Sequence, residues 1–333
     1  MINARPLAPL AALLLGVVPA IAQESEPAVI FDLGGKFDRS FNQASYEGAE
    51  RFKAETGIAY HEFELQSDAQ REQALRRFSE QGYNPIVVAG FSNESAMKAV
   101  APDYPDTHFV IIDAVVDLPN VRSVVFKEQE GSYLVGLLAA MASETGKVGF
   151  VGGMDIPLIQ KFACGYVQGV KATNPDATVF QAMTGTTGAA WNDPVRGGEL
   201  AKSQIDQGAD VVYHAAGGTG IGVLQAAVDA GALGIGVDSN QNYLHPGHML
   251  TSMVKRVDVA TYAALMDERN GAWTPGVEVL GLAEDGVGYA SDEHNAELLT
   301  EEMLAAAEGA KEKIIAGEIE VHDYSTDGAC PAR

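Results

Sequence analysis

The chain has 333 residues, a formal net charge of -23 and 47% hydrophobic residues, which is enough for two domains with separate cores. Such an acidic surface argues against a nucleic-acid partner, because the phosphate backbone would repel it. No apolar run after the first residues reaches the length of a membrane span, so we expect a soluble mature protein.

The first 22 residues have the pattern of a cleaved secretory signal. Arg5 supplies a positive charge, residues 7–20 are apolar, and Ala20-Ile21-Ala22 offers the small residues of a cleavage site. No cysteine stands at that junction, so we expect no lipid anchor. The segment 1–22 is therefore predicted to direct export and to be removed.

Two cysteines, Cys164 and Cys330, lie far apart in a chain expected to meet an oxidising compartment. A disulfide between them would tie the C-terminal tail to the body of the protein. The alternative is two separate thiols, one of them buried and the other on a frayed tail.

Strand-like and helical patterns alternate through the first part of the mature chain. The predicted strands are 29–33, 60–64, 85–89 and 109–113, and the predicted helices are 42–56, 69–81 and one that begins near residue 93. Strands separated by single helices indicate a parallel sheet with right-handed crossovers.

The pattern then repeats after a strand at 121–126 and an amphipathic run at 128–144. Further strands are predicted at 147–151, 177–181, 210–214, 235–237, 250–254 and 277–282, with helices at 159–173, 195–207, 222–231 and 257–270. Two successive α/β units linked by several crossings predict two lobes that close on a cleft.

Ligands of open parallel sheets bind beyond the carboxyl ends of the strands. Glycines there let the backbone approach a ligand, and an acid or amide beside an aromatic ring can hold the edge and face of a heterocycle. The candidates that follow the strands are Asp38, Phe41, Asn42, Gly90, Phe91, Asp113, Trp191, Gly217 and Asp238. The alternative for the segment at 34–43 is a capped helix with a buried Phe41.

Catalytic and cofactor patterns are weak. The glycines of residues 218–222 follow a strand, but their spacing departs from the dinucleotide pattern G-x-G-x-x-G. The sequence has no G-x-S-x-G or H-E-x-x-H motif, and His245 and His248 lie in a Pro-Gly loop that suits a solvated turn. We therefore expect no cofactor, no metal and no catalytic residue.

Several segments resemble the basic membrane protein, or purine nucleoside receptor, family of ABC-transporter substrate-binding proteins. The resemblance covers nearly the whole mature chain in the family's order. It rests on Asp38-Arg39-Ser40-Phe41-Asn42-Gln43, Gly90-Phe91, Phe109-Val110-Ile111-Ile112-Asp113, Gly149-Phe150-Val151-Gly152-Gly153, Ala215-Ala216-Gly217-Gly218-Thr219-Gly220, Gly236-Val237-Asp238 and Ser252-Met253-Val254-Lys255.

This resemblance implies an α/β protein with the type I periplasmic-binding-protein fold, in which two doubly wound parallel-sheet lobes are joined by three crossovers. Lobe 1 would comprise 24–125 plus 255–280, and lobe 2 would comprise 126–254 plus 281–333. The implied protein is a periplasmic monomer without enzymatic activity that delivers a purine nucleoside, such as adenosine, guanosine or inosine, to an inner-membrane ABC permease. The alternatives are a receptor for a sugar or signal molecule that feeds a sensor, and an exported nucleoside-processing enzyme.

The resemblance also implies how the base would be held. Phe41 and Phe162 look like the rings that sandwich the base, and Asp38 and Asn42 look like the partners of its edge. The alternative for Phe162 is an ordinary core aromatic residue.

For the sugar, Asp238 and Lys255 look like ribose contacts. Gly90 and Gly217 would let the ligand approach the backbone closely. Lys255 could equally be an exposed charge at a strand end. Trp191 departs from the family pattern and would add a further ring near the cleft.

Overall fold

The computed structural model describes residues 26–332, so the predicted signal segment at 1–22 lies outside the described residues. The chain forms two lobes, each built on a six-stranded sheet. None of the helices within residues 26–332 is long and apolar enough to cross a membrane.

Lobe 1 begins with alternating strands and helices. Its inner strands are short and mostly buried, as expected for a parallel sheet covered on both faces, whereas the edge strand at 61–64 is polar and partly exposed. Its first elements are β1 (Ala28–Phe31), α1 (Phe41–Thr56), β2 (His61–Glu64), α2 (Gln70–Glu80), β3 (Ile86–Val88), α3 (Glu94–Val100), β4 (Phe109–Ile112) and β5 (Val121–Phe126).

The chain then enters lobe 2 and repeats the pattern with longer helices. The elements are α4 (Glu128–Ala142), β6 (Lys147–Met154), α5 (Pro157–Thr173), β7 (Thr178–Gly185), α6 (Pro194–Asp206), β8 (Val211–Ala215), α7 (Gly220–Asp229), β9 (Leu233–Asp238) and β10 (Met249–Lys255).

The last part of the chain contributes elements to both lobes. In lobe 1, α8 (Val257–Arg269) packs on α1, and β11 (Gly276–Leu280) pairs with β5. In lobe 2, β12 (Val287–Tyr289) pairs antiparallel with β10, and α9 (Glu301–Ile315) packs against α4. The sequence patterns did not predict β12 or α9.

The two sheets have equivalent strand orders, β2-β1-β3-β4-β5-β11 in lobe 1 and β7-β6-β8-β9-β10-β12 in lobe 2. The chain passes between the lobes after β5, after β10 and after β11. This architecture confirms the predicted fold of two parallel-sheet lobes joined by three crossovers. It also means that each strand of one lobe has a counterpart in the other.

The helix α8 lies close to α1 because Gly48 has no side chain. A Cβ atom at Gly48 would lie 2.2 Å from the carbonyl oxygen of Asp258. The hydroxyls of Ser45 and Thr261 form a hydrogen bond of 2.9 Å across the same interface. The helix α8, in which the chain returns to lobe 1 after β10, is therefore packed directly against α1.

The C-terminal tail is attached to α5. The sulfur atoms of Cys164 and Cys330 lie 2.08 Å apart, as in a disulfide. The amide of Gln168 donates to the carbonyl oxygen of His322 at 3.0 Å and accepts from its backbone N–H at 2.9 Å. The tail therefore covers the helix that carries Phe162.

Candidate ligand-binding site

A cavity lies between the lobes, at the carboxyl ends of the parallel strands. The space between its walls, together with the open solvent at its mouth, is about 580 Å³. All eleven predicted contact residues line it, although their role in binding remains a prediction. The sequence did not predict contacts at seven further lining residues, Asp32, Leu33, Leu158, Ile159, Ala215, Ala216 and Val237.

The two lobes contribute equivalent pairs of residues to the cavity. Gly90 and Gly217 follow the equivalent strands β3 and β8, with φ angles of 98° and 55°. Asp113 and Asp238 stand at the ends of the equivalent strands β4 and β9, with φ angles of 72° and 62°. A left-handed conformation outside glycine is uncommon and concentrates at functional sites. Each lobe therefore places one glycine and one carboxylate beside the cavity at equivalent strand ends.

The carboxylate of Asp38 is bonded to the start of α1. It accepts hydrogen bonds from the backbone N–H groups of Ser40 at 2.8 Å, Asn42 at 3.0 Å and Gln43 at 3.1 Å. A fourth comes from the Asn42 side-chain amide at 3.2 Å. A carboxylate has about four acceptor sites, so the capping interpretation accounts for those of Asp38. Burial raises the pKa of Asp38 to about 6.

The side chain of Asn42 is also engaged within lobe 1. Its Oδ1 atom accepts from the backbone N–H of Asp32 at 2.9 Å, and its amide nitrogen donates to the carbonyl oxygen of Asp32 at 3.3 Å as well as to Asp38. Asn42 therefore joins the end of β1 to the start of α1. The predicted contact of Asp38 and Asn42 with a base edge competes with these internal hydrogen bonds.

Lys255 is buried at the centre of the site, with 2% of its surface exposed, so the interpretation as an exposed strand-end charge is wrong. Its Nζ atom lies 2.7 Å from Asp113 Oδ2 and 2.9 Å from Glu128 Oε1. It also lies 5.3 Å from the ring centre of Phe41 and 5.5 Å from that of Phe162. The ring centre of Phe126 lies closer still, at 5.0 Å. Two acids and three aromatic rings from both lobes thus surround one ammonium group.

The pKa values of these charged groups depend on one another. Burial lowers the pKa of Lys255, but Asp113, Glu128 and Asp238 together raise it above its ordinary value. Burial raises the pKa of Asp113 to about 6, although Lys255 opposes this change. Burial also raises the pKa of Glu128, but Lys255 and Lys161 lower it overall. Lys255 and Glu128 are therefore charged at neutral pH.

Sequence reasoning missed Glu128, which is fully buried at the first crossing between the lobes. Its carboxylate also pairs with Lys161 of α5 at 2.9 Å. In a sequence, an acid at the start of an amphipathic helix has the pattern of a solvated residue. Only the positions of Lys161 and Lys255 in the folded protein show that Glu128 is a buried ion-pair partner. Asp32 was missed because the predicted strand 29–33 runs past Phe31, where β1 ends, and so placed Asp32 inside the strand instead of directly after it.

The lobes touch each other beside the cavity. The hydroxyl of Ser40 in lobe 1 donates to Asp238 Oδ2 at 2.5 Å, and the hydroxyl of Ser239 donates to the carbonyl oxygen of Ser40 at 2.9 Å. The amide of Gln241 donates to the carbonyl oxygen of Arg39 at 2.9 Å. Burial raises the pKa of Asp238 to about 6. The described arrangement is therefore a closed one, in which Asp238 contacts both the cavity and the opposite lobe.

Residues 26–325 match the model of the family described as ABC transporter substrate-binding protein PnrA-like. The chain belongs to this family. It is 32% identical to the ABC transporter nucleoside-binding protein BmpA of Lactococcus lactis subsp. cremoris, with 92% of this chain and 91% of that one covered. It is 36% identical to an uncharacterized lipoprotein of Pyrococcus abyssi, with 80% and 69% covered. A solved ABC-transporter solute-binding protein from Aeropyrum pernix K1 has a TM-score of 0.84 and 32% identity, with 91% and 95% covered.

The predicted family is therefore confirmed, and the chain is an extracytoplasmic substrate-binding protein of an ABC transporter. Proteins of this kind bind a small molecule and deliver it to a permease, and the family is one of solute-binding proteins rather than enzymes. The expectation of an unanchored protein finds no support among the relatives, since the Pyrococcus protein is named a lipoprotein.

Proposed function

We propose that this chain binds a purine nucleoside in the cavity between its lobes and delivers it to the permease as a monomeric periplasmic protein. The observation that carries the proposal is the grouping of Phe41, Phe162, Asp113 and Lys255 around one closed cavity. Two rings suit the faces of a purine, and the carboxylates and ammonium suit the hydroxyls of a ribose.

The polar atoms of the cavity favour a ligand that donates hydrogen bonds. Asp113 Oδ1 is buried without a hydrogen-bond partner, which is costly unless a ligand satisfies it. Among the residues that the structure describes, four carboxylates but only one lysine line the cavity, and that lysine is already paired with Asp113 and Glu128. This charge balance supports a neutral, hydroxyl-bearing nucleoside over an anionic ligand.

The relatives support the same ligand class. The Lactococcus protein that aligns over 92% of this chain is named a nucleoside-binding protein. The decisive test is isothermal titration calorimetry of the mature protein with adenosine, guanosine, inosine, uridine and the free purine bases. We expect a purine nucleoside to bind more tightly than uridine, and an absence of binding by every nucleoside would refute the ligand assignment.

Replacing Phe41 by alanine should weaken nucleoside binding by about 1–3 kcal/mol, because a stacked base loses one aromatic face. Phe37→Ala is the matched control, since Phe37 lies nearby in lobe 1 but is 64% exposed and does not line the cavity. Calorimetry on both variants checks the prediction. Equal affinities for the two variants would remove Phe41 from the base site.

Nucleoside binding should weaken as the pH falls below about 6. Asp113 and Asp238 have pKa values raised to about 6 by burial, and their ionised forms are the better acceptors for ribose hydroxyls. Below that pH, binding must first remove a proton, so the dissociation constant should rise by up to about tenfold per pH unit for each required carboxylate. Asp38 also has a pKa near 6, but its acceptor sites are occupied within lobe 1.

The measurement is calorimetry between pH 5 and pH 8, in buffers of matched ionic strength. Asp238→Asn removes one titrating group and should flatten the profile. An affinity of the wild-type protein that is the same at both ends of the range would contradict the prediction.

A further inference from the structure

Two aromatic rings from opposite lobes meet at the cavity. Phe91 follows β3 in lobe 1, and Trp191 lies after β7 in lobe 2. Their ring centres are 6.5 Å apart and their planes are inclined by 68°, which is an edge-to-face contact. Both rings line the cavity and both are partly exposed, so they lie at its rim.

Trp191 is fixed to lobe 2 by its neighbours. The carbonyl oxygen of Ala190 accepts hydrogen bonds from the hydroxyls of Thr184 at 3.1 Å and Thr219 at 2.8 Å. The indole lies against β6 at Gly153, where a Cβ atom would come within 2.2 Å of the ring. The indole should therefore move with lobe 2 as a unit.

Phe91 is fixed to lobe 1 in a comparable way. The side-chain amide of Asn93 donates to the carbonyl oxygens of Ala89 at 2.8 Å and Gly90 at 3.2 Å, which holds the turn that carries the ring. A Cβ atom on Gly34, also in lobe 1, would lie 3.6 Å from the Cβ atom of Trp191. Separation of the lobes must therefore break the contact between Phe91 and Trp191.

We infer that Trp191 and Phe91 form an inter-lobe gate that sets the rate at which the ligand leaves. The identity of the ligand in this inference rests on the proposed function. The gate contact exists only in the closed arrangement, which the lobes also sample in equilibrium before a ligand binds, and release requires opening. Loss of the contact should therefore speed dissociation, while association, which begins from the open form, should change little.

The test compares the variants Trp191→Leu and Phe91→Leu with the double variant. Stopped-flow displacement of a bound purine nucleoside should show dissociation about tenfold faster in each single variant, with an association rate within about twofold of the wild type. The double variant should be no faster than the singles, because one contact is lost in all three. Phe37→Leu is the control and should leave both rates unchanged.

Dissociation rates equal to that of the wild type would overturn the gate, and so would additive effects in the double variant. An equal loss in association would instead assign Trp191 and Phe91 to shaping of the open site, which also overturns it.

A ligand-free measurement separates the gate from the ligand assignment. The chain has two tryptophans, and Trp273 lies in lobe 1 against His108, with ring centres 3.9 Å apart. The variant Trp273→Phe therefore leaves Trp191 as the single reporter. Adding Phe91→Leu should increase quenching of Trp191 by acrylamide, whereas adding Phe37→Leu should not.

If no nucleoside binds the wild type, the proposed function fails, and this ligand-free measurement still decides the gate. Equal quenching with Phe91→Leu and Phe37→Leu would show that the rings do not protect each other, and the gate would be rejected.

Discussion

Replacing Lys255 by methionine is expected to lower the free energy of unfolding by about 3–5 kcal/mol, because it leaves the buried Asp113 without a counter-ion and Glu128 with Lys161 alone. Lys255 pairs with Asp113 at 2.7 Å and with Glu128 at 2.9 Å, and the side chains of Lys255 and Glu128 are 1% exposed. Methionine fills similar volume, so the loss is mainly electrostatic. Urea unfolding monitored by circular dichroism measures it.

Lys202→Met is the matched control for this prediction. Lys202 pairs with Asp206 one turn along α6, and the two side chains are 71% and 63% exposed. Such a surface pair contributes about 0.3–0.5 kcal/mol, so its loss should be small. Similar losses in the two variants would show that the charge network around Lys255 does not stabilise the fold.

The pH dependence gives a second check on the same variant. Without Lys255, the pKa values of Asp113 and Glu128 should rise, because the ammonium that lowers them is gone. The carboxylates are then increasingly protonated in the folded protein as the pH falls, so their desolvation cost decreases. The difference in stability between wild type and Lys255→Met should therefore be largest near neutral pH and should shrink at acidic pH.

The position of the cavity could be predicted because strand ends are visible in the sequence. Gly90 and Gly217 each come after a short apolar run, that of β3 and that of β8. Asp113 and Asp238 stand at the end of the next apolar run, that of β4 and that of β9. Parallel strands bring such residues to one edge of each sheet. The strand-end rule needs only the position at which an apolar run ends, and that position can be read from the sequence.

The partners of these residues could not be predicted from the sequence. Asp113 and Lys255 are 142 positions apart, and no local pattern indicates that they form an ion pair. The periodicity that predicts α4 gives no sign that Glu128, its first residue, is buried between two lysines. Likewise, the strand β12 has only three residues, too few for an alternating pattern to stand out.

Phe162 shows that a core position does not exclude a place in the wall of the cavity. The ring is 3% exposed and belongs to the hydrophobic core of the protein, yet it also lines the cavity and faces Lys255. A core position fixes the rotamer of an aromatic ring, and a fixed ring is a better stacking surface because less conformational entropy is lost on binding. A prediction from sequence that treats core and site as exclusive choices misses this combination.

Replacing Asp238 by asparagine is expected to weaken purine nucleoside binding by about one to two orders of magnitude, while binding of the free base changes little. A charged acceptor of ribose hydroxyls contributes roughly 1.5–3 kcal/mol, and the free base has no such hydroxyls. Asparagine suits this position better than alanine, because the φ angle of 62° is tolerated by asparagine and strained for most other residues. Calorimetry with one nucleoside and its base provides both affinities.

Ser40→Ala separates the ribose contact of Asp238 from its contact with the other lobe. The hydroxyl of Ser40 donates to Asp238 across the lobe interface, so its loss weakens closure but leaves the carboxylate in the cavity. Weaker closure should reduce the affinities for base and nucleoside by the same factor, since both ligands need the closed form. Asp238→Asn should add a loss that only the nucleoside experiences. If base and nucleoside lose affinity equally in Asp238→Asn as well, the carboxylate acts through lobe closure alone and is not a ribose contact.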